Sequence, residues 1–243
     1  MKDHEVVEAF VAHLAVNGYT GLSVDKWPER ENRKSPDIEA IAGPFAIEHT
    51  SIDTLPNQRG KSDWFMRAVG GVERELPIPP YRLNVVLDFD AVTTGQNWAG
   101  IRNALKAWVI EDCPKLPNGH HTLENLPGIP FRLRVTKQSD RPPRIIFSRI
   151  SPEDESLPDR IRQQLGSKIE KLAPYQKSGL ITVLLIESDD IALMNEVKML
   201  DAIRSTYPQG LPPDIDRIWY LDASIPTEME FRDFTELVKE KRA

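Results

Sequence analysis

The chain has 243 residues, of which 40% are hydrophobic and 28% charged, enough apolar material for a substantial core and no basis for a disordered, collagen-like or coiled-coil protein. It carries 31 Lys and Arg against 37 Asp and Glu, a net charge of -6, so it lacks the basic excess of a dedicated nucleic-acid-binding module. No apolar run approaches the roughly 20 residues that span a bilayer, the first ten residues are not signal-like, and a single cysteine, Cys113, forms no intramolecular disulfide. These features predict a cytoplasmic protein with no membrane association.

In chain order, Val6, Val7, Phe10, Val11 and Leu14 fall on one face at helical spacing, with Gly18 placed to end the helix. Gly21 to Lys26 reads as a short strand, and Pro28 to Ser35 as a polar connection. Asp37 to Ile41 alternates polar and apolar residues. Gly43-Pro44 supplies a turn and Phe45 to Ile52 reads as the next strand, which together predict a β-hairpin. Asn57 to Glu75 reads as a helix stopped by Pro77, Pro79 and Pro80. The tryptophans Trp64, Trp98 and Trp108 stand at helical positions expected to serve the core.

Arg82 to Phe89 predicts a strand and Trp98 to Ile110 a helix. The segment Lys115 to Pro130 is rich in Pro, Gly and Asn and reads as loop, followed by a strand pair, Phe131 to Val135 and Arg144 to Ile150, around the turn 140–143. Beyond it come helix Asp159 to Leu172, strand Leu180 to Glu187, helix Ile191 to Ser205 and strand Arg217 to Leu221. That alternation predicts an α/β protein with a mixed central β-sheet flanked by helices. The reading is of one domain over 1–243, with a core at 1–112, a loop and hairpin insertion at 113–150 and a helix-strand-helix-strand completion at 151–243.

The residues that suggest chemistry are Asp37 at the start of one predicted strand and Glu48 near the middle of the next. A hairpin can bring two carboxylates together, and paired carboxylates repel unless a cation lies between them. On a strand, Glu48 and Thr50 point to one face and His49 to the other. The alternative for Asp37 is a turn or capping residue, and for Glu48 an ion pair with Arg or Lys of a neighbouring helix. His120 and His121, and the acidic pair Asp88 and Asp90, read as solvated loop residues rather than ligands.

The order helix, Pro36-Asp37, hairpin, Glu48-His49-Thr50, helix resembles the core of the PD-(D/E)XK, or restriction-endonuclease-like, nuclease superfamily. The resemblance covers about the first third of the chain. It implies a metal-dependent nuclease hydrolysing phosphodiester bonds in DNA or RNA, with Asp37 and Glu48 as ligands of Mg²⁺ or Mn²⁺. It further implies an accessory acid on the first helix, Glu8 or, less favoured, Glu5. Thr50 stands where the family's lysine is expected, so a relocated basic group is implied: Lys61 or Arg59 on the next helix, or Lys168 or Lys171 on the helix from Asp159. The second expectation is a catalytically inactive nuclease-fold protein that binds nucleic acid or a protein partner, or forms a homodimer. Lys168, Lys171, Lys177, Arg160 and Arg162 form either a phosphate-tracking strip or a solvated helix face. The later helices and the segment Pro226 to Ala243 are candidate partner surfaces.

Overall fold

The computed structural model of the chain describes residues 2–32, 36–190, 193–225 and 227–239. It divides into two compact units, one formed by Met1–Leu55 with Asp154–Ala243 and the other by Pro56–Glu153. The boundaries at 112 and 150 drawn from the sequence do not coincide with these breaks, because the first unit is discontinuous, its two segments separated in sequence by the whole second unit.

The first unit is built on a five-stranded sheet. Its elements are α1 (Asp3–Val16), α2 (Pro28–Glu31), β1 (Ala40–Ala42) and β2 (Phe45–Ser51), then, after the second unit, α5 (Leu157–Lys177), β7 (Ile181–Ser188), α6 (Glu196–Thr206), β8 (Arg217–Asp222), β9 (Glu230–Asp233) and α7 (Thr235–Lys239). The strand order is β1-β2-β7-β8-β9, with β2, β7 and β8 parallel and both edge strands antiparallel to their neighbours. The sheet is therefore mixed and flanked by helices. No described helix is long and apolar enough to cross a membrane.

Both faces of this sheet are covered. On one, Val6, Val7 and Phe10 of α1 pack against Phe45, Ile47, Val183 and Leu185. On the other, Ile161, Leu165 and Leu172 of α5 pack against Ala46, Leu184, Ile186 and Ile218. Double coverage explains why β2 and β7 read as nearly continuous apolar runs rather than alternating ones. The β1–β2 turn consists of Gly43-Pro44, and Gly43 adopts φ +52°, the left-handed region that suits glycine.

The second unit carries α3 (Gln58–Ala68), β3 (Arg82–Asp88), α4 (Trp98–Glu111), β4 (Gly119–Leu123), β5 (Leu133–Gln138) and β6 (Arg144–Ile150), with short 3₁₀ turns at Val72–Arg74 and Cys113–Lys115. Its sheet order is β4-β5-β3-β6. β3 alternates strictly, with Leu83, Val85 and Leu87 buried against Ile101, Leu105 and Trp108 of α4. Trp64 and Trp98 pack partly buried against the same core. Cys113 is fully buried, and burial pushes its thiol up to about 12.

Several elements differ from the sequence reading. Residues 21–26 form no strand, only a bridge from Lys26 to Ile41. The helix from Asn57 ends at Ala68, where Gly70 and Gly71 break it into the following 3₁₀ turn. The expected hairpin of 131–135 with 144–150 is not formed: β5 pairs antiparallel with β3, β6 pairs parallel with β3, and β3 thus lies between them. The loop at 115–130 contains β4, which adds to the edge of β5. α6 begins at Glu196, capped by the Asn195 side chain on Lys198 N–H, while Ile191 and Ala192 lie outside the described residues. Ser35, Pro226 and residues 240–243 also lie outside them.

Candidate functional site

The candidate site forms where α5 crosses β2. Glu48 is 0% exposed and points, with Thr50, to the α5 side of the sheet, as strand alternation requires. An ionised carboxylate so deeply buried must be paired and hydrogen-bonded. Lys168 Nζ donates to Glu48 Oε1 at 2.6 Å and Lys171 Nζ to the same oxygen at 3.2 Å. The Glu39 backbone N–H donates to Oε2 at 3.0 Å.

That last bond explains the shortness of β1. Glu39 is next in line to face Glu48 in the hairpin register, but its N–H goes to a side chain instead of the ladder, so pairing starts at Ala40. Asp37 therefore precedes the strand rather than opening it. Its Oδ1 accepts the Ile38 N–H at 2.8 Å and the Tyr175 hydroxyl at 2.7 Å. The first bond is the local turn role; the second ties Asp37 to α5. Burial, then the bond to Asp37, pushes the Tyr175 phenol up to about 12.

Gln164, Lys168, Lys171 and Tyr175 recur at spacings of four, three and four and so form one stripe on α5. Gln164 Nε2 donates to Thr50 Oγ1 at 3.1 Å and to the Ser51 carbonyl at 2.6 Å. Along the helix the stripe thus meets Thr50, then Glu48 and finally Asp37. Tyr175 lies one turn, about 6 Å of rise, beyond Lys171. The sequence reading stops this helix at Leu172, short of Tyr175. The helix continues through Pro174 to Lys177, since a proline this near the end forfeits only one of its backbone bonds.

Acidic groups border the pair. Glu29 lies 3.7 Å from Lys171 Nζ. Burial raises the Glu39 pKa to about 7, reinforced by a carboxyl–carboxyl hydrogen bond with Glu29 and by the charges of Glu29, Asp3 and Glu48. Glu29, Glu39 and Tyr175 are absent from the sequence-derived candidates, and Gln164 enters there only as a polar neighbour of Lys168 and Lys171 on the same helix. Their only legible signals are the helical spacing of 164, 168, 171 and 175 and the polar positions preceding β1.

The remaining candidates are placed as follows. Glu8 and Glu5 are exposed on α1, and Glu5 accepts the Lys2 N–H at 2.9 Å. The apolar face of α1 covers Phe45 and Ile47, the side of the sheet opposite Glu48, so the structure does not bring Glu8 to Glu48 as a third ligand. The α1 acid that reaches β2 is Asp3, whose Oδ1 is 3.7 Å from His49 Nδ1. His49, on the α1 side, pairs through Nε2 with buried Glu187 at 3.2 Å. Lys61 and Arg59 lie on α3 in the other unit, so the basic groups beside Glu48 within its own unit come from α5. Arg160 is held by the Asp53 and Thr54 carbonyls and Asp154, and Arg162 by Asp159 and the Thr206 carbonyl. These bonds, with those of Lys168 and Lys171, tie four of the five residues of the expected phosphate strip into the protein. In the second unit Asp88 is ion-paired with Arg132 and Arg134, while His120 and His121 lie on β4 and bond Thr136 and the Pro117 carbonyl.

As a metal site the residues fit in a limited way. Among the described residues no three His, Cys, Asp or Glu side chains converge as ligands. A hard cation here would rest on Asp37 and Glu48, with water and substrate oxygens completing its shell, which is how Mg²⁺ is commonly bound. The fold and site thus define an α/β protein with a buried carboxylate–lysine cluster on a mixed sheet. No protein-family model matches the chain, and comparisons with curated proteins and with solved structures yield no significant match.

Proposed function

We propose that this chain is a divalent-metal-dependent phosphodiester hydrolase of the nuclease type, with a restriction-endonuclease-like core in its first unit. Nucleic acid is its substrate and the cytoplasm its proposed location. The observation that carries the reading is the contact of Lys168 with Glu48 on the face that Thr50 shares. An ammonium from α5 thereby occupies the neighbourhood where the family's lysine would project from position 50. Asp37 and Glu48 would hold Mg²⁺ or Mn²⁺, which lowers the pKa of an attacking water and offsets charge on the phosphate. Lys168 orients water or a phosphate oxygen, Lys171 shares the Glu48 carboxylate oxygen with it, and Gln164 fixes the Thr50 hydroxyl.

A second reading is favoured by one observation: both Glu48 oxygens already have protein donors. The cluster is then a structural ion pair, and the chain an inactive nuclease-fold protein that binds nucleic acid or a protein partner. Calorimetric titration of Mn²⁺ into wild type and the D37A/E48A double variant separates the two. It should be paired with assays on plasmid, single-stranded DNA and RNA. The hydrolase reading expects metal binding and cleavage by wild type only, and Lys168→Ala that keeps metal binding but loses cleavage. Wild type and double variant that are equally metal-free and inactive would sink it.

A further inference from the structure

The second unit has a sheet face that the proposed chemistry does not use. Strand β3 turns Leu83, Val85 and Leu87 inward, leaving Arg82, Asn84, Val86 and Asp88 on the other face. Cross-strand register extends this face: Arg82 lies beside Gln138 and Arg144, Asn84 beside Thr136 and Ile146, and Val86 beside Arg134 and Ser148. On β4, His120 and Thr122 continue the last two rows. These positions are half-buried or exposed, and none is Phe, Tyr or Trp.

The unit that carries this face holds a positive excess. Residues 56–153 hold 14 Lys and Arg against 10 Asp and Glu, a net of +4 in a chain of -6. Asp88 is shared by Arg132 and Arg134, so this pairing leaves excess positive charge. Arg82 and Arg144 stand directly opposite each other on adjacent strands, an arrangement of like charges that destabilises a bare sheet. Among the described residues neither side chain has an ion-pair partner, and Arg82 Nε is buried without a hydrogen bond. Two adjacent guanidiniums without ion-pair partners among the described residues match the oxygens of a phosphate chain.

We infer that this face of the β4-β5-β3-β6 sheet binds the phosphate backbone of double-stranded nucleic acid, with Arg82 and Arg144 as its principal contacts. The choice of nucleic acid among polyanions rests on the function proposed above. A duplex is favoured over a single strand because the face offers guanidiniums for phosphates and no large aromatic rings for unstacked bases.

The test is fluorescence anisotropy of a short labelled DNA duplex with the full chain in EDTA, so that binding is read without cleavage. Salt is varied from roughly 50 to 200 mM. Wild type should bind the duplex, while R82Q/R144Q should bind at least about tenfold more weakly, with a log–log salt slope shallower by about 2. The charge-conserving R82K/R144K variant should retain affinity within a few fold, which separates loss of contact from loss of fold. Unchanged binding by R82Q/R144Q, tighter binding of single strands, or equal binding of polyglutamate would overturn the inference. Duplex binding lost in R82Q/R144Q, without metal-dependent cleavage by wild type, would leave this surface standing and remove the hydrolase.

Discussion

Lys168 Nζ and Glu48 Oε1 lie 2.6 Å apart although 120 residues separate them, and the carboxylate is wholly buried. Lys171 shares that oxygen, so two cations stabilise one buried anion. Removing both partners leaves an uncompensated charge in the core. K168M/K171M is expected to lose about 3–5 kcal/mol of unfolding free energy in urea, each single variant less. Adding Glu48→Gln to the double variant should recover most of the loss, and failure to recover would show that the lysines act through packing instead.

Glu39 should make stability depend on pH. Its folded pKa of about 7 exceeds the ordinary 4.5, so the folded protein holds a proton that the unfolded chain releases first. The contribution is fully present below pH 4.5 and is lost as pH rises through 7. Glu39→Gln keeps a neutral side chain at every pH. The Tm of E39Q minus that of wild type should therefore increase from pH 5 to pH 8, and a constant difference would contradict the assigned environment. Glu29→Gln should move the wild-type midpoint downward, since Glu29 supplies both the shared hydrogen bond and the leading repulsion.

Tyr175→Phe deletes the hydroxyl that donates to Asp37 without emptying the space its ring fills. A hydrogen bond to a charged acceptor at a part-buried site supports an expected loss of about 1.5 kcal/mol. In the metal titration, Y175F should also alter affinity for Mn²⁺, because Asp37 is no longer fixed against α5. Equal stability and equal affinity in the variant would assign Asp37 its turn role alone.

Neighbouring residues on α5 should behave very differently. Leu165 is 0% exposed in the core, and Leu165→Ala is expected to cost about 2–5 kcal/mol. Gln164 reaches Thr50 and the Ser51 carbonyl from an exposed position, and Gln164→Ala should cost about 1 kcal/mol while, on the proposed hydrolase reading, lowering cleavage more than stability. Chemical denaturation alongside a cleavage assay reads both effects.

How much of this was legible follows from the range of each interaction. Amphipathic spacing located α1 and α4, and a continuous apolar run located β7, because burial acts on neighbours a few residues apart. Strand alternation likewise put Glu48 and Thr50 on a common face. Lys168 and Lys171 entered the sequence reading as two among several basic candidates, because helical spacing shows which residues share a stripe and not which strand that stripe will cover.

The sequence by itself determined an α/β chain with a mixed, helix-flanked sheet and a carboxylate at position 48 in need of a partner. Only the tertiary structure decided who the partner is. The insertion of residues 56–153 separates β2 from α5 in sequence, while parallel pairing of β2 with β7 brings α5 back over the sheet. The same long-range pairing set β3 between β5 and β6, replacing the local hairpin suggested by the prolines at 142 and 143 and placing Arg82 beside Arg144. Pairing across such distances is selected by burial of whole faces, a property that no short window of sequence contains.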